Sequence, residues 1–455
     1  MGSARMRWNR VLILMAIAVV GAAPAAWAET ALAEPTEAGA SPPAELSLAD
    51  AVRRLDAANP SLEAAEWRTR AAERSVWEAR SGLMPSLSLR GEYTRSEEAN
   101  LVTPMHEAPS PMSESPLDFE EEIYTGVARL SIPLVNLPAI GRIGASKGAA
   151  TARSAERDQL ERRLTAAVVE VFVQARQIDD SLSLIDAYIA ALERRREELG
   201  DLRAEGRVPP AQVAELEARL DARRADRLEL EGRRHEVSLR LGELLGYDEP
   251  VDPASTEFTA PGLDPKSAPT GPALEQAEAQ MQAAKAQRRA AGLSFAPRVD
   301  GFYTDTARSG PDRDFTSEWQ AGLSVTIPLL TGGERAARFA GADAELAAAR
   351  SAREAARIGQ NRELSGAQRS YEIAGERRRL TARAADNQAT SVSSTRDRYE
   401  EGRTSLSDLL QAEADLLELR ISERRLLYEQ VLAFVAYHRA AGELSIDLVE
   451  SLTEE

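Results

Sequence analysis

The feature that most constrains the fold is a strand pattern that leads directly into a very long helical segment, and it occurs twice. In Trp319–Gly333, apolar and polar side chains alternate as far as Ile327, which is the period of a β-strand with one apolar and one polar face. Pro328 is expected to end this strand, and a long proline-free segment follows. Tyr124–Asn136 repeats the pattern upstream of a second such segment. The chain is therefore predicted to contain two strands that each feed a long helix.

Composition narrows the class of protein. The 455 residues carry a formal net charge of -17, so the basic surface that nucleic-acid binding requires is not expected. The lack of cysteine excludes disulfides, thiolate metal sites, a cysteine nucleophile and a lipid-modified cysteine. Aromatic residues make up only 5% of a chain that is 43% hydrophobic, and alanine is abundant. This composition is typical of long, closely packed helices.

The N-terminal segment has the pattern of an export signal. Three arginines precede the apolar run Val11–Val20, and residues 26–28 fit a small-x-small cleavage site. A membrane anchor is the alternative, but the run is short and Pro24 follows it. Residues 1–28 are therefore interpreted as a cleavable signal peptide. Residues 29–45, rich in alanine, glutamate and proline, are interpreted as a flexible linker.

Spacing between matching positions indicates an internal duplication. Pro133 and Pro328 lie 195 positions apart, and Gly206 and Gly402 lie 196 apart, so the two long helices are predicted to match in length. Each repeat is predicted to comprise a helix, a strand hairpin and a long helical hairpin. The first repeat is assigned to 46–246, a connector to 247–271, the second repeat to 272–446 and a C-terminal tail to 447–455.

The long helical segments carry the apolar spacing of a coiled coil. From Leu164 to Leu192, apolar residues recur at alternating steps of four and three within a helix predicted for 139–204. Pro209 and the proline after it force a turn into a return helix, and the second half has a turn at Gly402. Taken alone, this seam also suits a cytoplasmic coiled-coil spacer. The export signal and the strands argue against that alternative.

Four strands of about ten residues are predicted, and the polar segments 96–121 and 307–315 are interpreted as their loops. Such strands are long enough to cross an outer membrane. Four strands cannot close a barrel, and an open edge is not tolerated in lipid, so copies must pool their strands. Two copies would give a barrel filled by side chains, whereas three would leave a pore. The alternative is the edge of a soluble β-sandwich.

In the membrane interpretation Arg129, Gln320 and Thr326 face the lumen, and Leu130, Trp319, Leu323 and Val325 face lipid.

The complete pattern resembles the TolC-type outer-membrane efflux proteins. The resemblance extends over about 46–446. It is carried by LSLADAVRRLDAANPSL and LMPSLSL in the first half, and by WQAGLSVTIPLLTGG and RYEEGRTSLSDLLQAEADLLELR in the second. It implies a mainly α fold with β hairpins and duplicated long helical hairpins. Three chains would form a homotrimer with a 12-stranded barrel in the outer membrane of a Gram-negative cell, continued by an α-helical tunnel across the periplasm.

The resemblance also implies partners. A passive channel of this kind receives its substrates from a periplasmic adaptor and an inner-membrane pump, in efflux or in type I secretion. The turns between the paired long helices, Glu205–Gln212 and Glu401–Asp408, would form the periplasmic entrance and meet the adaptor. The residues assigned to adaptor docking are Gly206, Arg207, Gly402, Arg403 and Thr404.

Four further residues are assigned to the pore entrance by the same resemblance. Asp408 falls where the family often has a pore-narrowing aspartate, and three copies would form a carboxylate ring that favours cations. Its alternative role is that of a first-turn carboxylate favoured by the helix dipole. Gln411 lies one turn later, where some members carry a second acid. Tyr399 matches a position that helps to latch the entrance, but the usual acidic partner is replaced by Gln212.

Enzymatic chemistry is not expected. The sequence shows no nucleophile–base pair, phosphate-binding glycine loop or metal-ligand spacing, so no cofactor is predicted. Met105, His106 and Met112 lie in one loop and are interpreted as incidental rather than as a metal site. The rival function is a periplasmic coiled-coil adaptor or scaffold that never inserts in a membrane. A barrel-only porin is disfavoured because helix far exceeds strand.

Overall fold

The computed structural model describes residues 45–101, 119–204, 208–264, 271–310 and 316–453. The predicted signal peptide, most of the predicted linker, and Met105, His106 and Met112 lie outside these residues. The described elements are α1 Leu48–Ala58, α2 Pro60–Ser81, β1 Ser86–Leu101, β2 Phe119–Asn136, α3 Leu137–Ala204, α4 Pro210–Leu245, α5 Pro272–Leu293, β3 Arg298–Ser309, β4 Thr316–Thr326, α6 Glu334–Glu400, α7 Leu406–Ala441 and α8 Ile446–Glu450.

The first strand hairpin is longer than predicted. β1 and β2 span 16 and 18 residues, and their pairing continues to Leu101 and Phe119 across a register shift after Arg95. The prediction of a loop over 96–121 was therefore wrong at both ends. The alternation of apolar and polar side chains stops before these polar residues. The two strands stay paired because backbone hydrogen bonds join them, and these bonds do not require apolar side chains. β3 likewise enters the predicted loop 307–315.

Strand pairing places all four apolar faces on one side of a single antiparallel sheet, in the order β1-β2-β3-β4. Leu87 pairs with Leu130, Leu130 with Tyr303, and Tyr303 with Ala321. Because side chains alternate along each strand, the residues predicted to face lipid lie on this side: Leu130, Trp319, Leu323 and Val325. The residues predicted to face the lumen, Arg129, Gln320 and Thr326, lie on the opposite side.

The apolar face is open to its surroundings in the single chain. Leu89 is 82% exposed, Leu323 71% and Trp319 69%. Aromatic pairs on this face join neighbouring strands, with ring centroids 5.2 Å apart for Tyr93 and Tyr124. An apolar surface of this extent is unusual on a soluble monomer, so a partner or a membrane is expected to cover it.

Each strand is joined to one of four helices, so the order of the helices follows the order of the strands. α2 leads into β1, β2 into α3, α5 into β3 and β4 into α6. In the resulting helical layer α2 packs on α3, α3 on α5, and α5 on α6. α3 then turns back into α4, and α6 into α7, which gives two long helical hairpins. None of the helices in the described part of the chain is both long and apolar enough to cross a membrane.

The two strand-to-helix junctions differ. β4 ends at Thr326, before Pro328, as the proline predicts. β2 instead runs past Pro133 and ends at Asn136, with a register shift just after the proline. A proline lacks the N–H that a strand ladder uses, and the shift accommodates that loss. The Asn136 side chain then accepts a hydrogen bond from the Ala139 amide at 3.1 Å, which starts α3 immediately.

The shorter helices are stacked end to end. Asn59, which is 5% exposed, caps α2 by accepting hydrogen bonds from the amides of Ser61 and Leu62. Its side-chain amide donates to the Leu244 carbonyl at 2.8 Å, in the last turn of α4. In the second half, the start of α5 at Gly271 abuts the Ala440 carbonyl of α7 so closely that a Cβ would lie 2.3 Å away. Four helices are thereby joined into two longer rods.

Replacing Asn59 by alanine is expected to lower the free energy of unfolding by about 2–3 kcal/mol, because one helix cap and one partner of a buried carbonyl are lost together. The thermal midpoint of the purified protein measures this. Asn387, exposed within α6, is the matched control, and Asn387→Ala is expected to change the midpoint little. Equal midpoints for the two variants would show that the Asn59 contacts do not stabilise the joint.

The main core lies beside these joints rather than in the sheet, and it includes residues of the predicted connector and of the predicted C-terminal tail. Val251 and Phe258 of the predicted connector are buried, as are Val449 and Leu452 of the predicted C-terminal tail. Phe258 forms a backbone bridge with Thr453. The tail therefore docks through α8 on the body of the protein. The sequence pattern missed this because single apolar residues between prolines show no period.

A hydrogen bond and an ion pair in the same core join the two long hairpins. The Tyr428 hydroxyl on α7 donates to Asp180 on α3 at 2.6 Å, and Arg176 pairs with the same carboxylate at 3.0 Å. Burial, followed by the hydrogen bond to Asp180, raises the pKa of Tyr428 well above its ordinary value. The hydroxyl therefore remains a proton donor at any physiological pH.

Candidate functional site

The candidate site lies at the ends of the two long hairpins, away from the sheet. In the first tip, α3 ends at Ala204 and α4 begins at Pro210, after an extended Pro209. Gly206 and Arg207 lie outside the described residues. Gln212, half-buried, donates its backbone amide to the Pro209 carbonyl at 3.1 Å.

The second tip is a tight turn built on one glycine. Gly402 has a φ of +72°, a left-handed conformation that a side chain disfavours. Its amide donates to the Tyr399 carbonyl at 2.9 Å, and the Arg403 amide donates to the Arg398 carbonyl at 2.7 Å. The Arg403 side chain projects outward, 73% exposed, with Glu401 at 3.0 Å. Thr404, also predicted to dock a partner, turns its hydroxyl back onto Asp408 at 3.0 Å.

Asp408 forms a complete capping box at the start of α7. The Asp408 amide donates to the Ser405 hydroxyl at 3.1 Å, and the carboxylate accepts from the Ser405 amide at 3.2 Å and from its hydroxyl at 2.6 Å. The hydrogen bonds from Ser405, and then that from Thr404, hold the pKa of Asp408 below its ordinary 3.8. The alternative role as a first-turn carboxylate is thus present, and the side chain remains exposed and charged.

The acid dependence of the tip follows from this depressed pKa. A carboxylate with a lowered folded-state pKa stabilises the fold above its unfolded pKa, and the contribution is lost as pH falls through the folded value. The Asp408 cap is therefore expected to persist at pH 4 and to fail only below 3.8. Amide exchange at Ser405 in wild type and in Asp408→Asn checks this. Protection lost from wild type between pH 6 and 4 would contradict it.

Tyr399 and Gln411, which were both assigned to the pore entrance, make local contacts at the second tip. Tyr399 packs in the apolar cluster of the tip, and the Arg195 guanidinium lies 5.6 Å from its ring centre. Gln411 donates to Asp415 on its own helix at 2.8 Å. Ser407 joins the two tips, since its hydroxyl donates to Glu215 of α4 at 2.8 Å.

A charged cluster that the sequence interpretation missed binds three helices together just above the tips. The Glu413 side chain on α7 is 10% exposed and lies 3.7 Å from Arg195 of α3 and 2.9 Å from Arg396 of α6. A signal was available in the sequence. Leu406, Leu410 and Leu417 form an apolar seam, and Glu413 occupies the seam position between the last two.

Changing Glu413 to glutamine is expected to loosen this cluster, because the largely buried Arg195 loses its acidic partner. Arg396 is half exposed, so solvent screening limits the cost to about 1.5 kcal/mol, or roughly a tenfold rise in local opening. Hydrogen exchange of the amides from Arg398 to Leu410 measures that rise. Glu418→Gln, at an exposed position on the same helix, is the control. The same exchange rates in both variants would exclude a restraining role for Glu413.

Several solved structures of membrane proteins share this architecture. CusC, described in connection with transmembrane channel formation, matches with a TM-score of 0.76 and 15% identity, covering 87% of this chain and 92% of its own. VceC, an outer membrane protein of Vibrio cholerae, matches with a TM-score of 0.73 and 17% identity. The match covers 87% of this chain and 96% of VceC. The CmeC outer membrane channel of Campylobacter jejuni matches with a TM-score of 0.73 and 15% identity. The match covers 91% of this chain and 90% of CmeC. The chain thus shares its fold with these three proteins.

The chain belongs to the outer membrane efflux protein family, whose model matches residues 51–247 and 269–443. No curated protein sequence matches the chain. The resemblance to the TolC-type outer-membrane efflux proteins, inferred from the repeated strand and helix patterns, is confirmed. The mainly helical fold with a small antiparallel sheet is confirmed as well.

Proposed function

We propose that this protein is the outer-membrane component of a tripartite efflux or type I secretion system. Three copies would form a channel that passively conducts substrates from a periplasmic adaptor and an inner-membrane pump to the cell exterior. The observation that carries this proposal is the sheet, which combines a continuous exposed apolar face with two unpaired edges.

The unpaired edges argue for assembly through the strands. β1 and β4 are the outer strands of the sheet, and each leaves a row of backbone groups without a partner within the sheet. In lipid such groups are costly, so β1 of one copy is expected to pair with β4 of the next. Three sheets of four strands give a 12-stranded barrel with room for a passage, whereas two would give a barrel filled by side chains. Arg129, Gln320 and Thr326 would then face water, and Trp319 and Leu323 lipid.

The helices support a tunnel that continues the barrel. α3 and α6 have 68 and 67 residues, α4 and α7 have 36 each, and α2 and α5 have 22 each. These matching lengths favour an internal duplication with repeats at 46–246 and 272–446. At about 1.5 Å per residue, the long helices reach about 100 Å, enough to carry the tips well away from the outer membrane.

The tips would meet the adaptor through Gly402, Arg403 and Thr404 of the second turn and Gly206 and Arg207 of the first. Asp408 from three copies would then form a ring at the entrance. Asp408→Ala is expected to reduce block by divalent cations in planar bilayers, since three charges leave the constriction together. An unaltered response to divalent cations would mean that Asp408 lines no constriction.

The alternative is a periplasmic coiled-coil adaptor or scaffold that does not insert. Fractionation of cells on a sucrose gradient separates the two functions. We expect the protein to sediment with outer membranes and to resist extraction by high salt, because its apolar sheet face is buried in lipid. Recovery only in the soluble periplasm would contradict the channel and support the alternative.

A further inference from the structure

A cavity of about 660 Å³ lies where the sheet meets the helical layer. Its wall comes from the ends of β2, β3 and β4 and from α3, α5 and α6, so one chain completes it. The volume is in the range of sites for organic molecules of drug size. None of the residues assigned above to docking or to the entrance lines it.

The cavity has a strongly basic lining. Four arginines and a single acidic residue, Glu345, line it. Two of these arginines are neutralised locally, since Arg298 donates to Asp300 at 2.6 Å and Arg338 pairs with Glu334. The other two, Arg142 and Arg335, take part in none of the ion pairs found among the described residues.

Arg335 supplies the observation that points to a ligand. Its Nη1 atom is buried and has no hydrogen-bond partner among the described residues. A buried cationic donor without an acceptor is costly, and most such groups in folded proteins are satisfied. Arg335 lines the cavity, so an anion bound there beside its guanidinium would balance this charge. A guanidinium suits a planar or tetrahedral oxyanion in particular.

The rest of the wall indicates what the anion is attached to. Much of it is formed by small apolar side chains, which offer contact but no hydrogen bonds. An inorganic ion would leave this surface and most of the volume unused. The apolar lining residues include Pro138, Ala290, Ala291, Ala296, Pro328 and Ala342.

The strand residues that line the cavity lie on the polar side of the sheet. Arg298 and Thr326, which both line it, are paired across β3 and β4 and lie on the same face as Arg129 and Gln320. The apolar face carries Val299 and Val325 instead. A dissolved molecule therefore reaches the cavity more readily than a membrane lipid does.

We propose that this cavity binds an amphiphilic organic anion. Its carboxylate, phosphate or sulfonate would lie between Arg142 and Arg335, and its apolar body would lie against the alanine and proline wall. If the protein is the proposed channel, this cavity would be a binding site for anionic substrates next to the barrel. It does not depend on the channel, because residues of one chain build it.

Calorimetric titration of the full chain in detergent with 1-naphthyl phosphate tests the proposal. We expect saturable binding of 1-naphthyl phosphate. 1-Naphthol and inorganic phosphate should each bind at least about tenfold more weakly, because the first lacks the anionic group and the second lacks the apolar body. Arg335→Gln is expected to weaken binding of 1-naphthyl phosphate about tenfold or more, as the loss of a charged hydrogen bond implies. Arg335→Lys should bind with an affinity between those of wild type and Arg335→Gln, because it keeps the charge but loses the planar guanidinium.

Arg350→Gln is the matched control, since this exposed arginine lies on α6 outside the cavity and its variant makes the same change in charge. Arg142→Gln provides a second test if Arg335→Gln fails to fold. Unchanged binding in the folded cavity variants, or equal binding of 1-naphthol or of inorganic phosphate, would overturn the proposal. Binding that persists in a protein found only in the soluble periplasm would refute the channel and leave the cavity site standing.

Discussion

Reversing the charge of Arg403 is expected to abolish pump-dependent resistance in cells while leaving trimers intact. The Arg403 side chain is 73% exposed at the tip of the second long hairpin, so it is accessible to the proposed adaptor. Arg403→Glu replaces a cation with an anion at the proposed docking surface. An acidic partner group that faces Arg403 would then meet a like charge, which costs several kcal/mol. The measurement is growth in the presence of a pump substrate, with trimers counted on semi-denaturing gels.

Arg369→Glu is the matched control for this variant. Arg369 is 72% exposed on α6, and it also pairs with one nearby glutamate, Glu372 at 3.2 Å, but it lies far from the tip. We expect Arg369→Glu to support full resistance. Full complementation by Arg403→Glu as well would remove the second tip from the docking surface.

The double variant Gly141→Ala/Gly148→Ala is expected to lower the free energy of unfolding by about 3 kcal/mol, because it forces α3 and α5 apart. A Cβ on Gly141 would lie 2.8 Å from the Ala290 Cα, and one on Gly148 would lie 2.9 Å from the Ala283 Cα. These contacts hold the two halves of the chain together beneath the sheet. The thermal midpoint of the detergent-solubilised protein measures the loss.

Gly144 lies between these two glycines on the same helix and provides the control. Nothing lies within 4 Å of the position of its Cβ. Gly144→Ala is therefore expected to leave stability unchanged or to raise it by up to about 1 kcal/mol, since alanine favours helix. A double variant as stable as Gly144→Ala would show that the helices do not depend on close approach at these positions.

Much of the fold could be predicted from periodicity, because long elements with one apolar side repeat a signal many times. The alternation in Trp319–Ile327 predicted which side chains share a face of the sheet. The start of α1 is also defined locally, because the Asp50 amide donates to the Ser47 hydroxyl three residues away at 3.1 Å. These features are local in sequence, so local patterns determine them.

The parts that could not be predicted depend on contacts between distant residues. The outer ends of β1 and β2 are held by backbone pairing and carry no apolar alternation. Phe258 belongs to the core only because Tyr428 and the chain end meet it there. Arg142 and Arg335 of the cavity come from α3 and α6, and no motif joins them in the sequence.

The candidate site was predicted in part. The turn at Gly402 and the position of Asp408 at the start of a helix followed from the sequence, and the structure has both. The sequence interpretation did not assign Glu413, Arg195 and Arg396, whose ion pairs join three helices beside the tip. An acid in an apolar seam was the available signal, but its partners are defined only once three helices are assembled.

Cross-linking between the free edges of the sheet tests the central proposal most directly. The chain has no cysteine, so two introduced thiols are the only ones present. Leu89→Cys on β1 would be combined in turn with Ala321→Cys, Leu323→Cys or Val325→Cys on β4, and outer membranes would be oxidised. If β1 of each copy pairs with β4 of the next, at least one combination must convert the protein to a covalent trimer and no larger species. Products that stop at monomer or dimer in every combination, or a ladder that extends beyond the trimer, would contradict a closed barrel of three chains.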